Sequence, residues 1–170
     1  MKKIVLFTSL FSLMVACKSL PENKQNSSQN TAINQLLNQW HKDVAEFKYE
    51  AYFNKMASNA VFVGTDASEV WSKQEFMNFS KPFFDKKSTW NFRPLQRNIY
   101  IDTDNNIAWF DEILDTWMGI CRGSGVVVSQ NNQWKIQHYV LSVTIPNDVM
   151  QQVIQTKKKQ DSILIRSFNK

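Results

Sequence analysis

The sequence predicts an α+β domain with helices packed on one face of a curved antiparallel sheet, followed by a C-terminal helix. Three observations predict it. Ile33, Leu36, Leu37, Trp40, Val44 and Phe47 recur at helical spacing. Residues 90–143 hold four long strand-like segments separated by Asp- and Asn-rich turns. Between the two regions Ser72-Lys73-Gln74-Glu75 forms a capping box with Phe76, Phe79 and Phe83 behind it, which opens a further helix. Helices first and strands later is an α+β order.

Residues 1–16 read as an export leader. Met1-Lys2-Lys3 is a basic start, and Ile4 to Val15 is apolar apart from Thr8, Ser9 and Ser12. The run is shorter than the roughly 20 residues needed to span a bilayer. Met14-Val15-Ala16-Cys17 resembles the lipobox of a bacterial lipoprotein, with Met14 where Leu is usual. That resemblance implies cleavage before Cys17, acylation of Cys17, and a domain held at a membrane of the bacterial cell envelope, outside the cytoplasm. An ordinary secretory signal with an incidental cysteine is the alternative. Residues 17–30 carry almost no apolar side chains and read as a flexible tether, about 20 Å across as a coil.

Order is expected from Thr31. A first helix carries the apolar stripe, and a second, Tyr49 to Ala57, follows almost directly. Ala60 to Gly64 reads as a short strand, and Gly64-Thr65-Asp66 turns the chain. Pro82 should kink or split the third helix, because it lacks an amide hydrogen and clashes with the preceding turn. Strands are expected at Trp90–Ile101, Ile107–Met118, Arg122–Ser129 and Gln133–Val143, with turns at 102–106 and 130–132. Asn147 can cap a last helix through about Lys158, so residues 147–170 read as helix and tail.

Composition narrows the function classes. Six Trp and twelve Phe in 170 residues mark a globular chain with a large aromatic core. The net charge of +5 includes Lys2 and Lys3 of the leader, and Lys157, Lys158 and Lys159 supply three more positive charges. No basic stripe interleaved with aromatics remains, so nucleic acid is not an expected partner. The cysteines are Cys17 and Cys121 alone. With Cys17 acylated, Cys121 has no partner for a disulfide and no companions for a zinc site. No spacing suits a metal, and no cofactor is expected.

Gly64-Thr65-Asp66 followed by Glu69-Val70-Trp71, then Arg122-Gly123-Ser124-Gly125-Val126, then Trp134-Lys135-Ile136 with His138 and Ser142, resemble the SnoaL-like branch of the nuclear-transport-factor-2-like superfamily. The resemblance covers residues 31–146. It implies a conical half-barrel whose helices close one side, with a pocket between helices and sheet. It also implies that a homodimer through the outer sheet face is common. Such proteins include isomerases, cyclases, dehydratases, binding domains and oligomerisation hubs, so the fold leaves the function open.

The candidate chemistry sits on the strands. Strict alternation puts Trp134, Ile136, His138, Val140 and Ser142 on one face. If that face lines the cone, His138 can transfer protons or bind a ligand there. It can equally be a hydrogen-bonded structural histidine. His41, expected on the first helix, is the only other histidine. Asp111 and Asp115 share a face with Trp109 and Ile113, while Glu112 shares the other with Phe110 and Leu114. A buried acid there needs a partner, and Arg97 or Arg122 can supply it. The acid is then either a general base or one half of a cross-strand ion pair. Gly123 and Gly125 inside a strand suggest a bulge or a close backbone approach. Arg122 can hold a carboxylate or enolate with two hydrogen bonds. Trp71, beside Asp66 and Glu69 near the expected pocket mouth, either caps a ligand or belongs to the core.

Three functions follow as expectations. The first is a lipid-anchored domain binding a small, largely apolar molecule in an aromatic-lined pocket, with Trp71, Arg97, Trp109, Arg122 and His138 as binding residues. The second is a cofactor-free isomerase or dehydratase using His138 with Asp111 or Glu112. The third is an oligomerisation or scaffolding module.

Overall fold

The computed structural model describes residues 24–102 and 104–168. The leader, Cys17 and the first part of the tether lie outside the described residues. Helices α1 (Lys24–Ala45) and α2 (Tyr49–Asn54) precede strands β1 (Met56–Val63) and β2 (Val70–Ser72). Helix α3 (Lys73–Asp85) leads to β3 (Arg93–Asp102), β4 (Ile107–Thr116), β5 (Gly119–Gln130) and β6 (Gln133–Val143), and α4 (Met150–Phe168) closes the chain. The strands form one sheet in the order β2-β1-β6-β5-β4-β3. The β1–β6 pair is parallel, and the other pairs are antiparallel. This is the expected mixed α+β architecture with a curved sheet.

Differences from the expected elements have local causes. Helix α1 starts at Lys24, inside the segment expected as tether. Its packed half supplies the costly nucleus, and extending an existing helix through polar residues then costs little. Thr31 Oγ1 and Asn34 Nδ2 donate back to the carbonyls of Ser27 and Asn30. Strand β2 is too short for any periodicity to reveal it. The capping box at Ser72 forms as expected, with Glu75 returning a bond to the Ser72 amide at 2.8 Å. Pro82 lies within the last turn of α3 and does not split it. Helix α4 runs ten residues beyond Lys158 to Phe168 and has no buried residue.

The concave face of the sheet and helices α1–α3 enclose an aromatic core. Trp40 stacks on Tyr52 at 4.9 Å between centroids and meets the edge of Tyr139 at 4.8 Å. Phe53, Phe76 and Phe84 surround Tyr52. Buried Asp43 ties α1 to the end of α2 through Lys55, with Gln39 Nε2 donating to its second oxygen at 2.7 Å.

Helix α1 runs antiparallel to β3. Asn34 and Asn38 meet Arg97, while the next turns approach Asn91, Phe92 and Arg93 at the start of β3. The N-terminal end of α1 therefore lies away from the β4–β5 hairpin tip, where Trp117 and Met118 sit.

One irregularity decides the site. Val126 of β5 pairs with His138, but its neighbour Val127 pairs with Ile136. Gln137 is thus an extra residue on β6, a β-bulge. A one-residue slip exchanges the two faces of a strand. Ile136, Tyr139 and Leu141 consequently point into the core, being 0%, 1% and 5% exposed. His138 turns to the convex face, which corrects the expected alignment of Ile136 with His138.

Candidate ligand cleft and buried carboxylate network

Glu112 is the inward acid of β4 and is fully buried. Its Oε2 accepts from Arg97 Nε at 2.9 Å and from Arg97 Nη2 at 2.6 Å. Its Oε1 takes the Tyr139 hydroxyl at 3.0 Å and His41 Nε2 at 2.8 Å. Arg97 Nη1 continues to Asn38 Oδ1 at 2.8 Å and Asn34 Oδ1 at 3.1 Å. One carboxylate thereby joins α1, β3, β4 and β6.

Gly123 makes room for this arrangement. It pairs with both Glu112 and Leu141, and a Cβ there would collide with the Tyr139 hydroxyl. The close approach expected of these glycines is thus seen, and Gly125 does the same for the Phe110 ring and the His138 carbonyl.

Burial acts to raise the pKa of Glu112. The His41 hydrogen bond and the charges of His41 and Arg97 outweigh it, and the net shift is downward. Tyr139 is pushed well above the ordinary tyrosine range, first by burial and then by the Glu112 charge. Glu112 is therefore ionised, with each oxygen already receiving two donors. As it stands it has little capacity to take a substrate proton.

The open part of the concave side is a cleft of about 140 Å³ at the mouth of the cone. Phe62, Trp71, Phe76, Phe79 and Trp90 line it, with Trp117 of the β4–β5 hairpin at its edge. Several rings are near parallel. Phe62 lies 4.0 Å from Phe76 at 13°, Trp71 lies 5.7 Å from Phe76 at 13°, and Phe79 lies 4.6 Å from Trp71 at 23°. Trp117 is 80% exposed, and Phe79 and Phe83 are also exposed nearby.

The structure divides the residues singled out from sequence. Trp71 lines the cleft, and Arg97 and Glu112 meet inside. Trp109 lies on the convex face, half exposed and stacked on Tyr100 at 5.9 Å. Val61, His138, Val126, Trp109 and Tyr100 pair across five strands as one convex row. Asp111 is also convex, with Arg122 Nη1 at 3.3 Å, and Asp115 pairs with Arg93 at 2.7 Å. His138 is therefore on the opposite side of the sheet from Glu112, and Trp109 and Arg122 stand apart from the cleft. Cys121 is buried. Among the described residues no cluster suits a metal ion, and no helix is long and apolar enough to cross a membrane.

Sequence reasoning missed Tyr139 and gave His41 no site. A signal for His41 existed, since it lies four residues after Leu37 and three before Val44 on the buried stripe of α1. For Tyr139 the signal was masked by the bulge.

Comparisons agree with this architecture. No curated protein is significantly similar to the chain. Among solved structures, a nuclear-transport-factor-2-like protein of unknown function from Pseudomonas putida is 14% identical with a TM-score of 0.60, over 72% of this chain and 92% of its own. A provisionally assigned ketosteroid isomerase from Shewanella frigidimarina is 18% identical with a TM-score of 0.54, over 65% of this chain and 94% of its own. A provisionally assigned scytalone dehydratase from Novosphingobium aromaticivorans is 10% identical with a TM-score of 0.60, over 72% and 88%. At such identities the likeness establishes the fold. The SnoaL-like domain profile matches residues 33–146, and the chain belongs to that family.

Proposed function

We propose that this chain is a binding domain for a small, largely apolar, planar molecule, taken up in the aromatic cleft. The observation that carries this reading is the stack of Phe62, Phe76, Trp71 and Phe79 along an open cleft. Apolar sites with few polar groups are the usual form of small-molecule pockets. An apolar cavity of about 150 Å³ holds benzene, so about 140 Å³ accepts one ring without rearrangement. Enzymatic isomerisation or dehydration would need a free base near that ring; Glu112 is committed to its four donors, and Glu69 at the cleft accepts the Asp66 amide. Toluene serves as a probe. Saturable shifts of the Trp71, Trp90 and Trp117 indole signals in NMR support the reading, and their absence sinks it.

In the same proposal the domain is exported and held at the cell envelope by acyl chains on Cys17. Two or more chains anchor firmly where one does not. The antiparallel run of α1 along β3 would then turn the cleft away from the anchored end. Labelling with a fatty acid, lost in Cys17→Ser, is the outcome expected. Retained labelling in that variant would place the anchor elsewhere.

A second reading, self-association through the convex face, is favoured by the exposed Tyr100–Trp109 stack. Sedimentation should then show a dimer that Trp109→Lys converts to a monomer. A monomeric wild-type chain excludes it.

A further inference from the structure

We propose that a second cleft, between the C-terminal half of α1 and the segment entering β3, is a binding site for a small carboxylate with a short apolar tail. The cleft measures about 330 Å³ and is lined by Asn38, His41, Lys42, Asn91, Phe92 and Arg93. Phe92 also lines the aromatic cleft, but no other residue is shared.

His41 is the base of the argument. Its side chain is 4% exposed, and its Nε2 is fixed on Glu112 at 2.8 Å. Glu112 accepts there as a carboxylate, so Nε2 carries a hydrogen. Among the described residues no protein group takes up Nδ1, although the ring lines the cleft. With Nε2 held on Glu112, Nδ1 is the ring atom left to a molecule in the cleft. A carboxylate that enters together with a proton places that proton at Nδ1, between its own oxygen and the ring, with Glu112 fixed at the ring's other nitrogen. The interior negative charge is itself matched by Arg97, so the ligand's charge is not opposed from behind.

The surrounding groups complete a carboxylate site. Asn38 spends its Oδ1 on Arg97 and keeps its Nδ2 to donate, and the Asn91 side chain has no partner among the described residues. Lys42 is held only loosely, 3.7 Å from Glu46, which Lys48 approaches more closely at 2.6 Å. Arg93 already serves Asp115 and adds general positive charge. Ala45, Phe92 and Pro94 give an apolar wall for a short alkyl tail. Glu46 at the rim, and Asp115 paired with Arg93, disfavour a dianion, which selects a carboxylate over phosphate.

The chain has two histidines, and His138 lies across the sheet, so it serves as the internal reference. Imidazole NMR of the domain is titrated with butyrate, butanol and inorganic phosphate. Butyrate should shift the His41 signals saturably and leave those of His138 in place. Butanol and phosphate should bind at least about tenfold more weakly, the worth of one charge-assisted hydrogen bond. Lys42→Gln and Asn91→Ala, both at the cleft rim, should each weaken butyrate by about tenfold. Unmoved His41 signals overturn the proposal, as does equal response to butanol, preference for phosphate, or unchanged affinity in both variants. Substitution of Trp71 in the aromatic cleft should leave butyrate binding intact, which keeps this site separable from the first.

Discussion

Asp111 and Glu112 are adjacent in sequence, carry the same charge and live in opposite environments. Asp111 faces outward on the convex side, 29% exposed, with Arg122 at 3.3 Å and Asn98 beside it. Glu112 faces inward, fully buried, with its oxygens filled by four donors from three other elements. The difference teaches what burial does to a charge. The outer pair is bathed in water, where Coulomb attraction is weak and side-chain entropy opposes it. The inner charge has lost its hydration and depends wholly on its donors.

The largest expected effect breaks that inner network. Glu112→Ala should cost about 3–5 kcal/mol, because Arg97 is left buried and unpaired. Asp111→Ala should cost no more than about 1 kcal/mol. Equal losses in urea melts of the two variants would erase the contrast. Next comes Gly123→Ala, whose methyl would displace the Tyr139 hydroxyl from Glu112. Overpacking of this kind costs about 1–3 kcal/mol. The mirror change on the convex side, Ser124→Ala, should be near neutral.

Acid should act through the same residue. Unfolded glutamate titrates near about 4.3, and folded Glu112 titrates lower. The unfolded state therefore binds its proton first as the pH falls. The stability contributed by the Glu112 shift is full above the unfolded value and is lost as pH drops through the folded value. Urea midpoints measured from pH 7 down to pH 3 should fall less steeply in Glu112→Gln than in the wild type. The smallest effect belongs to His138→Ala, which should leave toluene binding unchanged, whereas Phe79→Ala should weaken it.

Much of this was legible in the chain. Periodicity located the helices and long strands, and the alternation Trp109-Phe110-Asp111-Glu112 put the two acids on opposite faces without saying which face is inward. The cost of burying an acid alone called for a partner and left Arg97 and Arg122 as the choices; the structure gives Arg97 to Glu112 and Arg122 to Asp111. The glycines at 123 and 125 announced a close approach without naming Tyr139 as what approaches. His138 was misread because a bulge at Gln137 leaves no mark in the hydrophobic pattern, yet moves every later residue of β6 to the other face. The extent of α1 escaped because propagation from a packed helix needs no apolar signal. Trp117 escaped because a hairpin tip lacks a pattern from which its neighbours can be read.

The claim that the concave side holds the binding site rests most directly on the six tryptophans. Toluene titrated into the domain while the indole NH signals are followed gives one observation for each face. Saturable movement of Trp71, Trp90 and Trp117 with Trp109 stationary is the predicted result. Movement of Trp109 with the cleft tryptophans unmoved would contradict it and return the site to the convex face.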